Sequence, residues 1–567
     1  MATGKSSIVI LPKIISKEKA VKEFFASGIV RDIKDVIYCG NEVREGNDKV
    51  LTKVEGVTVV SCDVTSKGLP AEVVYAGKGP AGLEKFLEEL NNLLEENEEI
   101  SLSDAAKSIK RNKPEVFISN PNHNIIKTSE GLLSVGCLYG YTNIYTTKDT
   151  LPSVYILPVE FIQSDTNVVA LAMVVFKNYT YGRKTKIIGT PKQIERIKDY
   201  LYACYYNDNY PSQIGEERYL DFMYQNRIEK ERLELEDLVE FIPLKNGEAE
   251  IGRIKVIYGR ESVKIIDGKN EYRVNMLNLK RLKINFKNIE KVKNIPDFGI
   301  TILGADNSFE PHGLSTSYII WVNQKGLLVD VGAFTLDILD ALGISYEKIK
   351  FILLTHQHED HDVGLISFLK LVEKRNRNYS QQQKVKIITS KEIWENIRRK
   401  LIVLYGDKET VERLISSTVE LVLLKIGEEI YRIDDVSNLE LNYAMHGVPS
   451  LMGRVNWGDK RISFSGDHCF NYYLYSRLFQ EGRISSIRRR ILEHFLFEET
   501  PSLIVHEMGA RTPEILVHTH LSSILVLPSN LRKKIIGVHF SNKSVESREI
   551  IKGYCGLTIY VASALFT

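Results

Sequence analysis

Residues 353–362, LLTHQHEDHD, gather three histidines and three acids into ten positions. They stand directly behind KIKFI, an apolar run with the length and branched residues of a buried strand. The pattern of HDVGLISFLKLVE then predicts a helix, so the ionisable side chains occupy the turn between strand and helix. His356 and His358 alternate by two and can point the same way, while Asp360 and His361 at the helix entrance can face a second centre one step away. Neutral imidazoles and carboxylates are the donors a borderline divalent ion accepts, at about 2.0–2.2 Å. A polar loop with histidines packed for unrelated reasons accounts for one such residue, not for HxHxDH behind a strand.

The elements that must position this turn lie in the second half of the chain. Of the 12 histidines only His123 precedes residue 312, which places the chemistry C-terminally. A chain of 567 residues exceeds one ordinary core. The reading divides it into an α/β domain over 1–113, a mixed β/α domain over 114–235, a small β module over 236–295 and a hydrolase domain over 296–567. IVILP, DVIYCG and GVTVVSC read as strands and GLEKFLEELNNLLEENEEI as an amphipathic helix. EVFISN, LLSVGCLYG, SVYILPVEFI and NVVALAMVVF read as mostly strand-like. Asp267-Gly268, between two β-rich runs, is a strong hairpin signal. No internal repeat, low-complexity segment or nucleotide-binding glycine fingerprint is evident. The tyrosine-rich run from Tyr206 to Asn226 suits either a base-stacking surface or a half-buried aromatic helix face or interface.

Bulk properties narrow the function classes. Basic and acidic residues number 75 and 73, so no global charge pulls the chain toward nucleic acid or anionic lipid. No apolar run reaches the roughly 20 residues of a membrane helix, and SSIVILPKI is expected to be a first strand rather than a leader. Six scattered cysteines without a CxxC pair suggest reduced thiols and a cytoplasmic location.

The HxHxDH stretch resembles the signature of the metallo-β-lactamase superfamily, and the resemblance extends over about 297–545. It implies an αββα sandwich, preceded here by α/β and β-rich domains. GLLVDVGA, with Asp330, resembles the superfamily motif whose acid orients the metal-site histidines. YAMHGVPSLMGRV, RISFSGDH and KKIIGVHFS supply His446, Asp467 and His539, which resemble the remaining ligands. The resemblance thus implies His356, His358 and His446 around one ion, Asp360, His361 and His539 around another, and Asp467 shared. The order of HGVPSLMGRVNWGDKRISFSGD resembles the branch holding ribonuclease Z and related cyclic-nucleotide phosphodiesterases. LIVHEMGA and LVHTHLSSILVLP resemble two later motifs of that branch and place Glu507 and His518. Residues 371–440 do not resemble the tRNA-gripping arm of ribonuclease Z, and the first 290 residues carry no motif by which a family is recognised.

The cofactors implied are two divalent ions, zinc first, with manganese and iron suited to the same ligands. Two such ions can generate a hydroxide and clamp the oxygens of a phosphodiester. Asp360, Glu507 and His518 are the expected catalytic residues, with His518, held by Glu507, protonating the leaving group. The substrate expected is a cyclic or short signalling nucleotide; RNA cleavage is the nearest alternative, followed by thioester or lactone hydrolysis and by a non-catalytic metal-bound scaffold. Homo-oligomerisation through the N-terminal domains is a further expectation, and no membrane partner is expected. His506 is expected beside the site, and His312, His468, His520 and Arg488 are candidate substrate contacts. For His468 a structural role stands equally open. The basic runs Arg398-Arg399-Lys400 and Arg488-Arg489-Arg490 suit either a phosphate groove or solvated helix faces.

Overall fold

The computed structural model describes residues 123–136, 151–163, 165–214, 232–276, 291–307, 314–378, 383–499, 501–510, 517–539 and 558–561, with short pieces of the first 120. Those pieces include a small parallel sheet of Ile37–Gly40, Thr58–Ser61 and Val74–Tyr75, two of which fall on runs expected as strands. The expected first strand SSIVILPKI lies outside the described residues, as does the predicted helix over 82–100 apart from Phe86 and Leu90, both helical. Among the described residues no helix is long and apolar enough to cross a membrane.

The expected αββα sandwich is formed by the C-terminal half. Its first sheet has seven strands in the order 419–423, 385–389, 349–353, 325–329, 317–322, 298–304 and 558–561. Its second has six, from Ile430–Arg432 through Ser437–Tyr443, Leu451–Trp457, Lys460–Phe464 and Leu503–Glu507 to Ile535–Val538. The inner faces meet in one core in which Ile300, Leu328 and Ile352 pack with Leu441, Val455 and Val505. Runs such as Phe298–Gly304 and Ser317–Val322 are buried at every position, which is why they read as unbroken apolar text. Parallel neighbours require long crossovers, and the helices Leu365–Asn378 and Lys391–Tyr405 provide them.

The polypeptide from 131 to 275 builds the first part of this sandwich a second time. Parallel strands Gly131–Val135, Val154–Ile156, Thr185–Gly189 and Val239–Pro243 adjoin in the order of 325–329, 349–353, 385–389 and 419–423. The registers agree as well. Lys186 pairs with Val154 as Lys386 pairs with Phe351, and Thr185 pairs with Val239 as Val385 pairs with Val419. Helix Pro191–Tyr205 follows its strand through the cap Thr190, as Lys391–Tyr405 follows through Ser390. A four-stranded meander over 248–275 then matches the one over 430–464. Each meander closes on a two-residue turn opened by a left-handed glycine, Gly268 at φ 61° and Gly458 at φ 58°. The hairpin expected at Asp267-Gly268 is therefore present.

No repeat was expected from the sequence, and this duplication corrects that reading. The two copies share the apolar alternation that buries a sheet but differ in loop length, so no single period aligns them. Chemistry has also been lost from the first copy. Gly136 takes the place of Asp330: its N–H reaches Ile156 O as that of Asp330 reaches Leu353 O. Counting on from the paired strand ends puts Val159 and Phe161 where the second copy has His356 and His358. After 275 the chain soon enters Phe298–Gly304 of the second copy, and no described strand of the first copy matches those ending at Glu507 and Val538.

The helices 191–205 and 391–405 pack on each other and exchange contacts reciprocally, as elements related by a two-fold axis do. The Arg196 guanidinium donates to Val403 O and Leu404 O, the Asn396 amide donates to Tyr206 O, and Arg399 pairs with Asp199 between them. Arg196→Ala leaves those carbonyls without a partner and should lower unfolding free energy by about 1–3 kcal/mol. Lys186→Ala, which removes only an exposed pair with Glu240, should leave it unchanged. Denaturant unfolding of the two variants checks this, and equal effects would contradict the reciprocal packing.

Candidate metal centre

Every residue of the centre follows the C-terminal end of a strand in one of the two sheets. Asp330 succeeds Lys325–Val329, His356 and His358 follow Ile349–Leu353, and His446 follows Ser437–Tyr443. Asp467 follows Lys460–Phe464, Glu507 ends Leu503–Glu507, and His539 follows Ile535–Val538. This edge is where α/β folds expose loops to a ligand. His358 caps the single turn Glu359–Asp362, which turns Asp360 and His361 inward.

Four groups of donor atoms gather within 4.8 Å of one another: His356, His358, His446 and Asp467; Asp330, His356 and His361; Asp360, His361 and His539; Asp467, His518 and His539. Asp467 joins the first group to the histidines of the third, its carboxylate lying 3.7 Å from His356 Nε2, 3.4 Å from His361 Nε2 and 3.6 Å from His539 Nε2. Asp360 lies 3.6 Å from His361 Nε2 and 3.5 Å from His539 Nε2. These separations are too long for good hydrogen bonds. The buried Nε2 atoms of His356, His361 and His539 have no hydrogen-bond partner among the described residues. Buried nitrogens are rarely left so, and the donor set is the one a divalent ion takes. The residues fit a divalent metal.

Electrostatics agree with that fit. Burial, reinforced by facing imidazoles, holds His356 and His358 well below the ordinary histidine range, and burial brings His446 to about 4. All three are thus neutral, as ligands must be. Burial opposes charge on Asp467, but His539 and His361 outweigh it and keep the carboxylate ionised. Asp360 is likewise held low by His361 and His539 against its burial. Burial also opposes charge on His361, yet Asp467, Asp360 and Asp330 raise it. The anionic field that retains a proton there equally favours a metal cation, which would displace it.

Asp330 fixes the geometry from behind. Its Oδ1 accepts from Thr355 N at 2.8 Å, while Oδ2 accepts from Thr355 Oγ1 and meets His361 Nδ1, both at 2.7 Å. His361 Nδ1 is thereby tied, leaving Nε2 for the centre. His446 Nδ1 is tied to Val517 O at 2.8 Å in the same way. Glu507 is held on both oxygens: Oε1 accepts from His468 N and Thr519 N, and Oε2 from Gly509 N. His518 Nδ1 lies 3.3 Å from Glu507 Oε1. Burial opposes charge on His518, but Glu507 and Asp467 outweigh it and push its pKa up to about 9. Gly509 is required here, because a Cβ would lie 2.7 Å from His539 Nδ1 and 3.2 Å from Glu507 Oε2.

The expected substrate contacts fare differently. His468 is fully buried, its Nδ1 accepting from Met445 N and its Nε2 facing Tyr475 OH, so it offers no face to substrate. Arg488 is buried and donates to Tyr443 O and Ala444 O, which corrects its reading as a phosphate contact. His506 alternates to the opposite strand face from Glu507, among Phe470 and Phe497, with Nδ1 on Glu507 O. His520 caps the short helix Leu521–Leu525. His312 lies outside the described residues. The basic runs are largely spent in ion pairs, Arg398 with Glu412, Arg489 with Glu493 and Lys400 with Asp362. Sequence reasoning missed Thr519, whose hydroxyl and N–H tie His468 and Glu507 together. It also missed Lys400, although Ile393, Ile397, Leu401 and Leu404 place it in the apolar stripe of its helix.

Asp467→Ala should abolish metal binding, since it removes an oxygen shared by the groups of histidines. Arg488→Ala should retain metal while losing about 1–3 kcal/mol of stability, because two carbonyls lose their donor. Elemental analysis with denaturant unfolding distinguishes the two, and metal retained by Asp467→Ala would contradict the arrangement.

Comparison with known proteins agrees with this geometry. Residues 298–558 match the family model described as anti-Pycsar protein Apyc1. A cAMP/cGMP-dependent 3',5'-cAMP/cGMP phosphodiesterase B of Dictyostelium discoideum is 31% identical over 47% of this chain and only 23% of its own. The anti-Pycsar protein Apyc1 of a Paenibacillus species is 25% identical over 43% of this chain and 89% of its own. Ribonuclease Z of Borrelia duttonii is 36% identical over 13% of this chain and 24% of its own. The match to the Dictyostelium protein thus spans about a quarter of that protein. Over its C-terminal half this chain is therefore similar to cyclic-nucleotide phosphodiesterases, to anti-Pycsar proteins and, over a shorter stretch, to ribonuclease Z.

Proposed function

We propose that the chain is a metal-dependent phosphodiesterase acting on a 3',5'-cyclic nucleotide. One observation carries the reading: a group of metal donors and a separate histidine–carboxylate pair meet around one carboxylate, Asp467. His518 Nδ1 lies 3.8 Å from Asp467 and 3.3 Å from Glu507. Hydrolysis of an anionic diester needs charge neutralisation on one side and a proton for the leaving oxygen on the other.

His356, His358 and His446 would hold one ion, Asp360, His361 and His539 a second, with Asp467 between, and zinc best suits the donors. When bound, such ions neutralise phosphoryl oxygens and supply a nucleophile from water near neutral pH. The chain's own residues do the rest. Glu507, fixed by three backbone N–H groups, accepts from His518 Nδ1 and so leaves the transferable proton on Nε2. The His518 side chain is 21% exposed whereas that of Glu507 is 1%, so the donor stands at the opening and its partner beneath it. Asp360 would serve as a metal ligand and, with Asp467, keeps the centre anionic enough for two cations.

A cyclic nucleotide is preferred to tRNA because helices and strands of the sandwich account for the described span from 365 to 423. The cyclic-nucleotide phosphodiesterase activity of the Dictyostelium relative points the same way. His518→Ala should keep its metal and lose about 10²–10⁴-fold in kcat toward 3',5'-cAMP or 3',5'-cGMP. Metal analysis beside steady-state kinetics checks this. Turnover of a thioester in preference to every phosphodiester, by metal-loaded protein, would contradict the proposal.

A further inference from the structure

The metal loop presents two faces, and the face turned away from the centre is held as closely as the one turned toward it. Lys400 Nζ donates to Gln357 O at 2.6 Å and pairs with the Asp362 carboxylate, with both side chains buried. Glu359, between His358 and Asp360, is 1% exposed. Both of its oxygens are bonded from the first copy of the fold: the Tyr200 hydroxyl donates to Oε1 at 2.5 Å, and Met173 N donates to Oε2 at 3.3 Å. Tyr200 is itself buried, and its oxygen accepts from Asn167 Nδ2 at 3.0 Å. Asn167 is anchored by Val169 N, which donates to its Oδ1 at 2.9 Å. Tyr210, also of the first copy, donates to Gly447 O at 2.5 Å, one residue beyond His446.

We propose that the first copy, which has glycine, valine and phenylalanine at the positions of Asp330, His356 and His358, serves as a fused partner that sets the metal loop from behind, with Tyr200 as a positioning residue acting through Glu359. The inference rests on the metal reading but not on the identity of the substrate. A buried carboxylate without donors is costly, so Glu359 keeps the place where Tyr200 and Met173 N meet it. His358 and Asp360 flank Glu359 in the chain, and each belongs to a different group of donors. Rotation of Glu359 would therefore displace one ligand of each. Side chains that orient ligands are commonly worth about 10–100-fold in metal affinity.

The test is the rate at which the zinc-loaded full chain releases zinc to a chromogenic chelator. Tyr200→Phe keeps the ring and removes the hydroxyl, Glu359→Gln keeps the shape and removes the charge, and the double variant combines them. Tyr202→Phe is the control: its hydroxyl lies on the same helix but donates to Asp208. Tyr200→Phe and Glu359→Gln should each speed release at least 10-fold, the double variant should be no faster than the faster single, and Tyr202→Phe should match wild type. A role confined to packing would lower the melting temperature of the metal-free protein without changing release, and that result would overturn the proposal. Should Tyr200→Phe fail to fold, Glu359→Gln carries the same test. Wild type that holds no zinc would overturn the metal reading as well, whereas wild type that holds zinc and variants that release it at wild-type rates would overturn the positioning role alone.

Discussion

Five imidazoles and three carboxylates gather at one edge of the sandwich, all buried except the half-buried His358, and the arrangement depends on what relieves that crowding. Removing so many polar groups from water is costly unless each finds a partner. The protein satisfies part of the need itself. Asp330 binds Thr355 and His361, and Val517 O takes His446 Nδ1. The inward nitrogens of His356, His361 and His539 keep no protein partner among the described residues, and the nearest carboxylates stand back by more than a hydrogen bond. A cation between them converts mutual crowding into coordination. Most of the neighbouring structure can be understood as holding these side chains there against their own preferences.

That holding is done from several directions. Strands of both sheets deliver the ligands at their ends, and the turn at Glu359–Asp362 divides its side chains between two faces. His539 sits at φ 62°, a left-handed conformation that costs a non-glycine residue about 1–3 kcal/mol and persists only where surroundings enforce it. Arg488 braces the carbonyls just before His446. The duplicated first half adds the last support. It has no ligand residues at the positions equivalent to Asp330, His356 and His358, yet its helix 191–205 packs on helix 391–405 through exchanged hydrogen bonds and reaches the back of the metal loop.

The centre was legible in the sequence because its ligands follow buried strands, and an apolar run ending in histidine or aspartate is a local signal. The αββα class was legible for the same reason. Direction in space was not. His468 stands beside Asp467 in the chain, but the next side chain along turns to the core, where Met445 N and Tyr475 OH engage it. Arg488 read as a free cation because nothing nearby in sequence announces the two carbonyls that bind it. The repeat escaped notice because burial conserves only the alternation of apolar residues: TKIIGTPKQ and VKIITSKEI occupy equivalent places, whereas the loops around them differ in length. Lys400 was concealed in a basic run although its helical spacing put it among Ile397, Leu401 and Leu404.

The most direct test is anomalous diffraction at the zinc edge from crystals of the zinc-loaded protein. Two peaks about 3.5–4 Å apart are expected, one among His356, His358 and His446 and the other among Asp360, His361 and His539, with the Asp467 carboxylate between them. No peak within the cluster, or a single one with Asp467 or His539 turned away from it, would contradict the account.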